Sequence, residues 1–109
     1  MQRAFIGIAL FSLLMVSTSA QQLSAVELNG MCVDPMRQAA CGSYVEGFLD
    51  GLASTADGRR LFCLPQGAST GQYGAAYAAF LEDQPNMRAG TARSAFAAML
   101  LFRFGCPPN

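Results

Sequence analysis

The stretch Ser69-Thr-Gly-Gln-Tyr-Gly-Ala-Ala-Tyr-Ala-Ala-Phe-Leu-Glu-Asp83 decides the fold class. Ser69 and Gln72 form the S-x-x-Q pattern of a capping box, in which each side chain satisfies a backbone N–H of the other. Behind it, Tyr73, Ala76, Tyr77, Phe80 and Leu81 recur at three- and four-residue spacing, so one face of a helix from about Thr70 to Asp83 is apolar. Pro85 closes that region. Downstream, Ala95, Phe96, Met99, Leu100 and Arg103 repeat the spacing and predict a helix from about Thr91 to Phe104, stopped by Gly105-Cys-Pro-Pro108. Upstream, Asp34-Pro35 reads as a helix start, with an acceptor at the cap and a fixed φ at the first helical position. A third helix then runs from about Pro35 to Ser54, with Met36, Ala40, Tyr44, Val45, Phe48, Leu49 and Leu52 as its stripe. Gly42, Gly47 and Gly51 interrupt it, each at a cost of up to about 1 kcal/mol relative to alanine. Three such losses imply that another backbone approaches this face. Residues 21–33 read as a mixed lead-in, 55–60 as an exposed turn, and 61–65 as a short apolar stretch held by its cysteine. No segment alternates as a strand does. The expected fold is all-α, a small disulfide-braced bundle of three main helices plus short extra helical turns.

Before this domain, Arg3 is followed by an apolar run from Ala4 to Val16 and then by the small residues of 17–20. That is the pattern of a cleaved secretory leader, with cleavage after Ala20 and a mature domain at 21–109. An N-terminal anchor is the alternative, but a span needs about 20 apolar residues and this run is shorter. Without Arg3, six arginines face seven acids, a net charge of −1, and the chain has no lysine and no histidine. Such a balance argues against nucleic acid as a partner and provides no polybasic patch for stable membrane association.

Cys32, Cys41, Cys63 and Cys106 are even in number in an exported context, which favours two disulfides. Their wide spacing and the lack of histidine argue against zinc, and no cofactor is expected. If the first and second main helices are antiparallel, Cys63 and Cys106 meet at one pole and Cys32 and Cys41 at the other. If the connection carries the chain back first, all four share a pole, and Cys32–Cys106 with Cys41–Cys63 becomes an option. The preferred pairing is Cys32–Cys41 with Cys63–Cys106.

The chain lacks the usual machinery of catalysis. Without histidine the commonest general base is missing, and without lysine so is the serine–lysine dyad. Glu46 and Asp50 share a helical face, and Glu82 and Asp83 end a helix, but a small domain without tryptophan is poorly equipped to grip a sugar chain between two carboxylates. A solvated acidic face is the simpler reading, with Asp50 also placed to pair with an arginine. Tyr44, Tyr73 and Tyr77 read as core residues with satisfied hydroxyls. Phe102 and Phe104 flank Arg103, so the last helix is apolar over more than one side, and a homodimer seam is one way to bury the excess.

Three motifs carry a resemblance. They are Cys41-Gly-Ser-Tyr44 through Gly47, Phe48, Asp50 and Gly51; Phe62-Cys63-Leu64-Pro65 with Gly67, Thr70 and Gln72; and Phe80-Leu-Glu-Asp-Gln-Pro85 followed by an alanine-rich helix ending at Cys106. Together the chain resembles the Rap/Tai family of immunity proteins, periplasmic antagonists of peptidoglycan-cleaving amidase effectors delivered by type VI secretion systems. The resemblance implies a helical fold, disulfides, frequent dimers and inhibition of the amidase effector by occlusion rather than catalysis. The matched motifs look like scaffold. The candidates for partner contact are therefore the exposed turns, with Asp57, Arg59 and Arg60 on one and Glu82, Asp83 and Arg88 on the other. A small periplasmic acid-stress chaperone is the alternative reading, and a small enzyme a third.

Overall fold

The computed structural model of the protein describes residues 22–108; the proposed leader at 1–20 lies outside them. Among these residues five α-helices are connected by short turns: α1 Ala25–Val33, α2 Gln38–Ala53, α3 Ala56–Leu61, α4 Thr70–Asp83 and α5 Ala92–Phe104. Single 3-10 turns at Pro35–Arg37 and Pro85–Ala89 precede α2 and α5. The all-α expectation holds, as do the positions of α4 and α5.

Two expected loops are helices. The lead-in forms α1, and its start repeats the capping box of α4. The Ser24 hydroxyl accepts from the Glu27 N–H at 3.0 Å, and the Glu27 carboxylate accepts from the Ser24 N–H at 3.1 Å. The turn at 55–60 is α3, capped by the Thr55 hydroxyl, which accepts from the Gly58 N–H at 2.9 Å. The expected start of α2 is displaced too. Asp34 does cap, accepting from the Met36 N–H at 2.9 Å, but it caps the 3-10 turn. The Gln38 side-chain amide then donates to the Cys32 and Asp34 carbonyls, which closes α1 and starts α2 afresh. Met36 and Ala40 consequently face solvent instead of joining the stripe.

The capping bonds of Glu27 with Ser24 hold its carboxyl below the ordinary carboxylate value. A lowered folded value contributes stability above the unfolded pKa, and that contribution disappears as pH falls through the folded one. Glu27→Ala, which removes the carboxylate, should therefore lower stability near neutrality, and the gap to wild type should narrow below about pH 4. Urea titrations at pH 7 and pH 3 measure it; an unchanged gap would exclude the carboxylate's part.

Phe96 sits at the centre of the core. It is fully buried, and its ring lies 4.9 Å from Phe48, 5.6 Å from Tyr77 and 6.0 Å from Tyr44. One side chain thereby ties α2, α4 and α5 together. Leu28, Val45, Leu81, Met99 and Leu100 complete the closed interior. The Tyr77 hydroxyl donates to the Ala25 carbonyl at 2.8 Å, an acceptor in the first turn of α1 that the helix needs only four residues later. Buried Tyr77 thus has the satisfied hydroxyl expected of a core tyrosine.

The connection through α3 carries the chain back, so the antiparallel expectation for the first two main helices is not met. α2 and α4 begin side by side: a Cβ on Gly42 would lie 3.2 Å from Thr70 Oγ1, and one on Gly74 would lie 2.9 Å from Cys41 Sγ. α5 returns against α4, with Tyr73 and Phe104 rings 5.4 Å apart. At the far end α1 and α5 start together, clipped by Ala25 N–H to Gly90 O and Ala92 N–H to Leu23 O at 3.0 and 2.8 Å.

The disulfides are Cys32–Cys41 and Cys63–Cys106. Both lie toward the end where α4 begins and α5 finishes, so all four cysteines share a pole and yet the pairing is the preferred one. Local chain paths decide it: a single 3-10 turn separates Cys32 from Cys41. Cys63 and Cys106 are held in register by Cys63 N–H to Phe104 O at 2.7 Å and Cys106 N–H to Leu61 O at 2.9 Å. Gly74 accounts for one close approach, since a side chain there would meet the buried disulfide. Gly47 and Gly51 face open space, which corrects the expectation that a backbone approaches them.

Candidate functional site

The two sets of partner-contact candidates lie on separate elements, although Asp83 reaches the last turn of α5 and lines a small pocket with Phe102 and Arg103. Asp57, Arg59 and Arg60 ride on α3, beside the Cys63–Cys106 bond. All three are exposed, yet each arginine is engaged locally. Arg59 donates to the Ala53 carbonyl at 2.7 Å, covering the last turn of α2, and Arg60 pairs with Asp57 at 3.2 Å. An exposed pair of this kind contributes about 0–1 kcal/mol. It leaves a mixed-charge corner and adds little to the stability of the fold. Glu82 and Asp83 end α4 and, with Arg88 on the following 3-10 turn, form the second set, all exposed and without ion pairs among the described residues. Glu46 and Asp50 are likewise exposed and unpaired there, as a solvated face requires.

A third surface lies on the side where α2 meets α5. Ser43, Tyr44, Gly47 and Phe48 of α2 and Arg93 of α5 line an open apolar cleft of about 330 Å³. It continues past Tyr44 and Arg93 into a smaller one lined also by Gln22, Leu23 and Thr91. Bare glycine next to half-buried rings makes the shelf: Gly47 has no side chain to cover Phe48. Arg93 is exposed and has no acidic partner among the described residues. The arrangement provides apolar contact and one guanidinium, with no pair of groups able to exchange protons across it. The helical stripe predicts Tyr44 in the core, whereas the structure leaves it half-buried at this cleft beside Arg93. The available signal was Ser43-Tyr44 repeated four residues later as Gly47-Phe48, small beside large on one face.

Burial raises the phenol pKa of Tyr77 most, with the nearby Tyr44 adding to it; burial also raises Tyr73, and raises Tyr44 against the opposing charge of Arg93. The raised folded values mean that these groups contribute stability below the unfolded value of about 10, and lose it as pH rises toward the folded ones. Tyrosinate absorbance near 295 nm should therefore rise later in the native protein than in denaturant, with one of the three tyrosines resisting longest. Coincident curves would place Tyr77 in contact with solvent.

Among the described residues, no group of three His, Cys, Asp or Glu side chains is placed to hold a metal, and no helix is long and apolar enough to cross a membrane. Rigid helices, two disulfides and exposed charged corners define a small protein built to present surface. The family model of Rap1a immunity proteins matches residues 20–106, and the chain belongs to that family. No curated protein and no solved structure gives a significant match. Membership implies a protein effector as the partner and an inhibitor rather than an enzyme, and together with the disulfides it points to an exported protein.

Proposed function

We propose that the protein is a periplasmic immunity protein that binds a peptidoglycan amidase effector of a type VI secretion system and occludes its substrate cleft. The observation that carries this reading is the family match over residues 20–106. The local hydrogen bonding of the corner on α3 supports it. A blocker must present its contact residues without first ordering them, because ordering reduces affinity, and the corner of Asp57, Arg59 and Arg60 is fixed by its own hydrogen bonds. Glu82, Asp83 and Arg88 form the second candidate contact.

Co-expression of the exported protein with amidase effectors encoded beside its gene should prevent lysis, and the purified pair should form a stable complex. Lysis without protection, together with no binding to any such amidase, would remove the amidase from the proposal. The leader at 1–20 is part of this reading: the intact mass of the exported protein should begin at Gln21. Homodimerisation is part of it as well. Phe102 is 72% exposed and Leu101 50%, neighbouring apolar side chains on α5 that a second copy would cover. Sedimentation should show a dimer that Phe102→Ser weakens; a monomer at high concentration would exclude it.

A further inference from the structure

The two disulfides stand in different surroundings, and the geometry points to Cys63–Cys106 as a thiol–disulfide exchange site that takes a thiolate reductant, either a small thiol or a dithiol-bearing protein. Cys32 and Cys41 are only 9% and 2% exposed, and their bond is pressed against Gly74 on α4. An attacking thiolate must approach a disulfide in line with the bond, so a sulfur covered by packed backbone is out of reach. Cys63, in contrast, is exposed and Cys106 half-buried. Both line an open cleft of about 600 Å³ with Arg60, Leu61, Pro107 and Pro108, room enough for a tripeptide thiol or the tip of a protein loop. Arg60 brings a guanidinium to the rim. A cation there favours the thiolate form of an approaching thiol, and Asp57, its partner at 3.2 Å, moderates that effect.

Access selects Cys63 as the atom attacked. The incoming thiolate forms a bond to Cys63 Sγ while the bond to Cys106 breaks. The electron pair leaves on Cys106 Sγ, which takes a proton from water. A second thiolate then attacks the reductant's sulfur in the mixed disulfide, so two reductant thiols end as one disulfide and Cys63 ends as a thiol. The product has a changed architecture. The bond joins residues 43 apart, and with it gone the segment of 54–69, including α3 with Asp57, Arg59 and Arg60, is held by the backbone bonds at Leu61–Cys63 and by Phe62, Leu64 and Ala68 packed against the core. Cys32–Cys41 remains closed, and α1, α2, α4 and α5 keep their shared core.

The test is brief exposure of the native protein to dithiothreitol, quenching with an alkylating agent, and peptide mapping of the labelled cysteines. Cys63 and Cys106 should label at least about tenfold faster than Cys32 and Cys41, the difference in access setting the ratio, while far-UV circular dichroism keeps its helical signal. With reduced glutathione, the mixed disulfide should map to Cys63. Equal labelling of the two pairs, earlier labelling of Cys32 and Cys41, or loss of helical signal together with the first label would each overturn the assignment. Two single-bond proteins, Cys32→Ala with Cys41→Ala and Cys63→Ala with Cys106→Ala, separate access from any sequential opening. If the bond at 63–106 is not the faster to be reduced when each bond is alone, the proposal fails.

Discussion

Phe96→Ala should lower the stability of the protein by about 3–5 kcal/mol. The magnitude follows from position. The ring is fully buried and meets aromatic partners from α2 and α4 at once. Truncation removes the transfer free energy of the ring and leaves a cavity whose walls belong to three different helices. Rigid helices cannot all move inward together, so the void would persist. A domain of this size has roughly 5–15 kcal/mol in total, and the variant should be near its folding threshold at physiological temperature. Denaturant unfolding followed by circular dichroism measures the loss. A value under 1 kcal/mol would mean that the cleft side of α2 relaxes freely onto α5 and that the ring does not organise the core.

Replacing Cys63 and Cys106 together by alanine should cost roughly 4 kcal/mol, on the chain-entropy account of a closure spanning residues 43 apart. The folded state loses little packing there because Cys63 is exposed, so the effect falls chiefly on the unfolded chain. That origin gives the prediction its form: the same loss should be seen whether the bond is removed by mutation or opened by reductant. A mutational cost below 1 kcal/mol would show that the hydrogen bonds beside the bridge hold the segment unaided.

What could be read from the chain beforehand follows from the length of each signal. α4 and α5 carry three turns or more of apolar repeat, with a cap at one end and a stop at the other, and both were placed to within a residue or two. α1 was overlooked although Ser24 and Glu27 spell the same capping pattern as Ser69 and Gln72, because Asn29 and Gly30 break its apolar repeat. α3 has six residues, too few for any periodicity to register, and only Thr55 and its bond to Gly58 mark it. The direction of α2 relative to α4 depended on how far residues 54–69 travel, and nothing local specifies that distance. Among the surfaces, the charged corners were legible because exposed turns attract charge. The cleft beside Phe48 was not, since it needs Arg93 of α5 brought to Gly47 of α2, a juxtaposition created by packing.

The clip between the starts of α1 and α5 has a practical consequence for anyone attaching a label. A tag placed ahead of Gln22 emerges beside Thr91, close to the turn bearing Arg88, whereas one placed after Pro108 emerges beside Arg60. The two termini therefore shade different parts of the surface. Comparing effector capture by the two tagged forms would reveal which face is in use before any residue is changed.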